Sequence, residues 1–370
     1  MSGLIFLLIL SFLVIIHELG HFLFARWSKI KVEEFGLGYP PKAKTLFTDK
    51  LGTIYTLNWL PFGGFVRMFG EDGNVDAKGS FSSVSVWRRL LVVLAGASIN
   101  FIFGVLAFGA IYSQHGIPTT LNGVKVEEVA VGSPAESAGI KVGEIVESVS
   151  SGSEKIETKT SEDLIAFVQN HRGEQVTLDT RSGTSYQTYV RKVEEVPPGQ
   201  GSLGVALTDF ELKKYPWWEM PFRGMWIGLK AATNFSFLIL NSLGTMLSEL
   251  FLRGQVPKDI SGPVGIVYAA EKEGFLRDGF WSQLNFAAIL SINLAIVNVL
   301  PFPALDGGRA VFLVWELLTR RRVKPKVEMW VNTAGFVLLL SLIVLISVRD
   351  IGRVFQDQGI QQWFLSLIGR

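Results

Sequence analysis

Three ionisable residues, His17, Glu18 and His21, lie in the middle of the apolar run LIFLLILSFLVIIHELGHFLFARW. An ionisable group at membrane depth costs about 2.5–3.5 kcal/mol on insertion scales, so something must offset that cost. On a helix, residues four apart project from one face. His17 and His21 can therefore offer two imidazoles to one metal ion, with Glu18 beside them as a base. Metal binding would account for the cost, because an imidazole on zinc is not an orphaned polar group. The plainer alternative is two histidines hydrogen-bonded to a neighbouring helix.

A catalytic zinc takes three protein ligands and keeps one position open. The chain has four histidines and no cysteine. His115 falls at the far end of the second apolar run and His171 in a polar region, so neither reaches easily. The third ligand should be a carboxylate at membrane depth, and Asp306 in PALDGG is best placed. Alone, Asp306 would read as the N-cap of the following helix; beside HELGH it reads as a ligand. Zinc at such a site makes bound water acidic at neutral pH and polarises a carbonyl, and Glu18 is placed to take the proton. The chemistry is peptide-bond hydrolysis below the membrane surface.

The elements that must carry these residues follow from hydropathy. Apolar residues form 48% of the 370, and charged residues 18%, against about 25% in soluble domains. Four runs are long or apolar enough to span a bilayer: 4–25, 90–112, 284–300 and 331–348. The first reads as a retained helix rather than a cleaved signal, being too long for a signal core and without a basic start. The third is expected to unwind where Pro301 and Pro303 forbid further helix. Residues 26–89 hold ten Lys and Arg and residues 309–326 hold six, which places both segments in the cytoplasm. Residues 113–282 then face outside. His17 lies about 20 Å below the outer end of its helix, and the 284–300 run descends about 25 Å. The two sets of residues meet in the cytoplasmic third of the bilayer.

The stretch 217–252 is interrupted by Lys230, Asn234, Asn241, Thr245 and Glu249. It is expected to lie as an amphipathic helix on the outer surface. Residues 31–70 are strand-like, and the glycine pair in LPFGGFV at 60–66 suggests a hairpin at or in the membrane. A helical substrate hides its scissile bonds in its own hydrogen bonds, so an exposed strand edge here could hold it extended. Asn298, an amide in an apolar helix, reads equally as a contact to that extended backbone or as an interhelical hydrogen bond. A net charge of +2 offers nothing for nucleic acid. The chain divides as 1–115, the first half of a membrane core; 116–207, a β-rich extracytoplasmic domain; 208–265, the interfacial helix; and 266–370, the second half of the core.

The motifs HELGHF (17–22), FGLGYPP (35–41), LPFGGFVRMFGED (60–72), SGPVGI (261–266) and NVLPFPALDGGR (298–309) run through nearly the whole chain. With them it resembles the site-2 protease family of intramembrane zinc metalloproteases, in the bacterial regulator-of-sigma-E protease subgroup. The resemblance implies His17, His21 and Asp306 as zinc ligands, Glu18 as base, Asn298 as a substrate contact and a membrane-associated β element containing Gly63 and Gly64. It implies a polytopic α-helical protein of the bacterial inner membrane with four transmembrane helices. Its active site would lie near the cytoplasm, and its substrates would be single-spanning proteins such as anti-sigma factors or signal-peptide remnants. GSPAESAGIKVGEIVESV (132–149) looks like the heart of a PDZ-like α+β domain; the space admits one, where relatives often carry two. LAGASIN (94–100) departs from the usual pattern, with Ala97 where relatives carry proline.

Two other classes fit the sequence less well. A metal transporter needs polar groups along a through-path, yet they cluster at one depth. A membrane-tethered adaptor with a structural zinc needs four closed ligands, and the sequence offers three and a base.

Overall fold

The computed structural model describes residues 2–71, 77–197, 200–253 and 261–356. Asp72 of the LPFGGFVRMFGED motif and residues 73–76, 198–199, 254–260 and 357–370 lie outside the described residues. In chain order the elements are α1 (Ser2–Trp27), β1 (Val32–Thr48), β2 (Ile54–Met68), α2 (Val86–His115), β3 (Ile117–Val129), α3 (Pro134–Ser137), β4 (Ile145–Ser151), β5 (Glu154–Glu157), α4 (Ser161–Asn170), β6 (Gln175–Thr180), β7 (Ser185–Tyr189), β8 (Val205–Lys213), α5 (Met220–Arg253), α6 (Pro263–Lys272), α7 (Phe280–Val299), α8 (Asp306–Thr319) and α9 (Pro325–Gln356). Contacts divide the chain into two compact units, one of Met1–Ile111 with Gly224–Arg370 and one of Tyr112–Arg223.

In the first unit α1, α2, α7 and α9 are each long and apolar enough to cross a membrane; among the described residues α5 is not. Large apolar side chains such as Leu8, Leu106, Leu338 and Leu345 remain exposed, as a lipid-facing surface requires. Inside the bundle the helices close on small residues, as membrane helices do. A Cβ on Gly20 of α1 would sit 2.6 Å from the Ala95 carbonyl oxygen of α2, so only glycine permits this crossing. Phe6 and Leu13 of α1 pack with Phe286 and Leu290 of α7 and with Ala270 of α6. The Ser291 hydroxyl of α7 donates to the Asn100 carbonyl of α2 at 2.8 Å.

The β region is more than the expected hairpin. The turn between β1 and β2 is made at Asp49, whose carboxylate accepts the N–H groups of Leu51 (2.9 Å) and Thr53 (3.0 Å), an aspartate turn. LPFGGFV is instead a bend inside β2, where Gly63 adopts φ +67°. The cause is plain: a glycine at positive φ bends a strand without ending it. β1 bends likewise near Gly38, at φ +80°. Each strand therefore has two pairing segments. Residues 32–37 pair with 64–68 on one side and lie beside 54–57 on the other, while 42–48 pair with 54–58. Residues 64–68 are left at an edge. The sheet packs on α1 and the start of α2 through Phe22, Phe35, Met68 and Val92.

The second unit is a sheet in the order β7-β6-β4-β3-β8, with β5 beside β4. α4 starts in a capping box between Thr160 and Asp163, which satisfies its first free amides. Val124, Val126, Val146, Val149, Leu164, Phe167, Val176 and Leu178 form its core. β8 continues past residue 207, pairing Leu207 with Val126 and Lys213 with Ile117. Phe210 and Leu212 alternate there with Glu211 and Lys213, but both apolar side chains stay exposed, so no buried face marks this end of the strand. A groove of about 620 Å³ lies between α4 and residues 201–207, lined by Leu164, Ile165, Val168, Arg172, Leu203 and Val205.

Candidate metal centre and active site

α1 brings His17 and His21 to one face, both buried. α7 stops at Val299, and the proline-rich turn that follows delivers Asp306 as the first residue of α8. The side chain does not cap that helix: the N-cap is Leu305 and no side-chain cap bond forms. The aspartate oxygen Oδ2 instead lies 3.0 Å from His17 Nε2 and 3.2 Å from His21 Nε2. The two Nε2 atoms are 3.2 Å apart.

These separations are a test of fit for a metal. Donors at 2.0–2.1 Å around a tetrahedral zinc are spaced by roughly 3.3–3.4 Å, close to what is found. The donor set also suits zinc, with two imidazoles and one carboxylate. His21 Nδ1 lies 2.8 Å from the Val92 carbonyl. An N–H donated there leaves the lone pair of His21 on Nε2, aimed at the cluster, the tautomer that metal ligation requires. His17, His21 and Asp306 can thus hold one ion. Zinc held there supplies a Lewis acid for the carbonyl and lowers the pKa of water to about 7.

Glu18 turns from the donors toward the sheet. Its Oε2 accepts the Val66 backbone N–H at 3.1 Å, at the outer edge of β2. The glycine pair makes this approach possible: Gly63 and Gly64 are both buried, and a Cβ on Gly64 would sit 2.9 Å from the Gly36 carbonyl and 3.9 Å from Glu18 Cγ. A cavity of about 200 Å³ is lined by Glu18, His21, Asp306, Phe65, Val66 and Arg309, among others, with room for several waters at about 30 Å³ each. The expected edge, Glu18 and two of the donors are therefore together. Asn298 is not in that wall. It sits half-buried in the last turn of α7 with no hydrogen-bond partner among the described residues.

Other residues of the site were not legible in advance. Gly96 of α2 faces the two imidazoles: a Cβ there would lie 2.6 Å from both Nε2 atoms, a collision. Glu71 accepts the Met68 N–H at 3.3 Å and pairs with Arg309, joining the sheet edge to the helix that carries Asp306. Arg89 forms a two-point pair with Glu316 at 2.9 and 2.7 Å, joining α2 to α8. The one available signal was the spacing 92, 96, 100 on an apolar helix, where glycine and asparagine recur at one helical face.

The helices, the edge and the buried donor cluster define a membrane-embedded metallopeptidase. The sequence profile of peptidase family M50 matches residues 5–342, and the chain belongs to that family, the site-2 proteases. A Clostridium perfringens protein named as a zinc metalloprotease is 33% identical over 346 residues, covering 93% of this chain and 97% of its own. Zinc metalloprotease RasP of Shouchella clausii is 28% identical over 440 residues, covering 95% and 98%. The corresponding RasP of Oceanobacillus iheyensis is 26% identical over 438 residues, covering 95% and 98%. The protein is a zinc metalloendopeptidase of the membrane.

Proposed function

We propose that this protease hydrolyses peptide bonds in or near the transmembrane segments of single-spanning proteins, with His17, His21 and Asp306 as zinc ligands and Glu18 as the proton carrier. The observation that carries the reading is one cavity shared by Glu18, His21, Asp306 and the β2 edge. Glu18 takes a proton from the attacking water as its oxygen bonds to the scissile carbonyl carbon. It returns that proton to the departing amide nitrogen as the C–N bond breaks. Val66 N–H holds the Glu18 carboxylate until substrate arrives. The substrate segment lies extended along residues 60–66, so its backbone leaves helical hydrogen bonding for strand pairing. Asn298, with unpaired amide groups, is the candidate to bind that backbone farther along α7.

The orientation follows from Lys and Arg: the active site lies toward the cytoplasm of a bacterial inner membrane and the second unit faces outside. That unit is a PDZ-like peptide reader, and the groove between α4 and residues 201–207 supports the reading. The stretch 217–252, which carries α5, lies along the outer surface; exposed Trp217 and Trp218 just before the helix and Trp226 within it support this, since tryptophan favours the interface. Substrates in keeping with this arrangement are anti-sigma factors already trimmed outside, or signal-peptide remnants. The test is to incubate the purified protein in detergent with a single-spanning reporter and map the cut by mass spectrometry. Cleavage within the apolar segment or its flanks supports the proposal; cleavage confined to a soluble reporter domain overturns it.

A further inference from the structure

α2 supplies no metal ligand, yet one of its faces lies against both ligand histidines. Val92, Gly96 and Asn100 follow one another at intervals of four, on that face. Val92 holds His21 Nδ1 through its carbonyl, and Gly96 leaves the space in which both Nε2 atoms sit. Asn100 has no such evident purpose. It is fully buried, its amide lies 3.5 Å from His17 Nδ1, and its Oδ1 has no hydrogen-bond partner. A buried amide oxygen left without a donor costs about 1–3 kcal/mol.

The tautomer of His17 resolves this. For Nε2 to aim a lone pair at a metal, the ring proton must be on Nδ1. A protonated Nδ1 donates, and so it needs an acceptor rather than an NH₂ group. The two ends of an amide share one outline and differ in chemistry alone. With the oxygen turned to His17, the ring proton gains an acceptor and Oδ1 gains a donor. We propose that Asn100 is a positioning residue of the metal centre, its side-chain oxygen accepting the Nδ1–H of His17 as the Val92 carbonyl accepts that of His21. α2 then sets the proton position on both imidazoles. The inference rests on the reading of His17 as a ligand.

Zinc affinity of the full-length protein in detergent, measured by competition with a chelator, tests it. Asn100→Ala removes the acceptor, and a lost outer partner of a ligand histidine typically lowers metal affinity 10–100-fold. Asn100→Asp keeps an acceptor and can donate nothing, so it should stay within about threefold of wild type. Ser98→Ala, on the exposed side of α2, should change nothing. Nitrogen-15 spectra of labelled zinc-loaded protein should show His17 protonated at Nδ1. Loss of affinity in Asn100→Asp equal to that in Asn100→Ala would overturn the proposal, as would wild-type affinity in both. If the alanine variant does not fold, Asn100→Asp and the spectra decide alone. His17→Ala separates the two levels. Unchanged affinity there refutes the ligand reading itself, whereas a fall there with all Asn100 variants unaffected refutes the positioning role alone.

Discussion

Glu18 Oε2 accepts a hydrogen bond from the Val66 backbone N–H at 3.1 Å, so the residue placed to move protons is tied to the strand edge on which an extended substrate would lie. The neighbouring outward amide, Met68 N–H, is taken by Glu71. A carboxylate thus caps each of these edge donors, and a substrate strand must displace what it meets. In the proposed function this would link binding to catalysis, since pairing with β2 would free Glu18 from Val66 N–H.

Removing the Val66 donor should therefore affect turnover more than metal. Val66→Pro deletes that N–H at an edge position, where proline is tolerated. The expected outcome is zinc content equal to wild type with cleavage reduced about tenfold or more. Metal analysis beside a peptide-cleavage assay checks it.

Gly96→Ala should remove zinc without unfolding the bundle. The added methyl would fall 2.6 Å from both Nε2 atoms, far inside contact distance, and imidazoles displaced from their positions cannot both reach one ion. Zinc content should drop by an order of magnitude while helix content by circular dichroism is unchanged. Retained zinc would show that α2 stands farther from the imidazoles than described.

The pair Arg89–Glu316 is nearly dry, with side-chain exposures of 6% and 13%. Breaking a buried pair from one side costs about 3–5 kcal/mol, because a charge is left stranded, whereas replacing both members can be close to neutral. Arg322 also bonds Glu316 at 2.9 Å, which places Arg89→Met at the lower end of that range. The double variant Arg89→Met with Glu316→Gln should be more stable than Arg89→Met alone. Denaturant titration in micelles reads the difference.

The second unit carries an acid-sensitive contact. Lys155, Ser185 and Ser148 donate to Asp179 and hold its carboxyl down to about 2. A carboxyl lowered in the folded state stabilises it above the usual aspartate pKa, and that stabilisation is lost as pH falls toward the lowered value. Amide exchange in β4 and β6 should accelerate between about pH 4 and pH 2 beyond the intrinsic pH effect. Asp179→Asn should flatten that dependence.

Much of the site could be read from sequence because its chemistry sits in residue types that membranes exclude. His17, Glu18, His21 and Asp306 stood out against apolar surroundings, and Pro301 and Pro303 marked where α7 had to stop. Gly96, Val92 and Asn100 did not stand out. Glycine and asparagine in a membrane helix ordinarily serve packing, and a backbone carbonyl leaves no mark in sequence at all. LAGASIN was legible as a motif, yet its function depends on which face of α2 meets α1. The bends inside β1 and β2 were hidden for a similar reason. A glycine that ends a strand and one that bends it look alike until the partner strands are known. β8 escaped because its last apolar residues, Phe210 and Leu212, stay exposed on a strand at the edge of the sheet.

The most direct measurement compares wild type with Glu18→Gln, recording zinc content and cleavage of a transmembrane reporter in the same preparation. The substitution keeps size and shape and removes the ability to accept a proton at neutral pH. Zinc retained at wild-type level with cleavage lost by a thousandfold or more is the predicted result. Zinc retained with cleavage unchanged would contradict the account, because the proton would then have another acceptor.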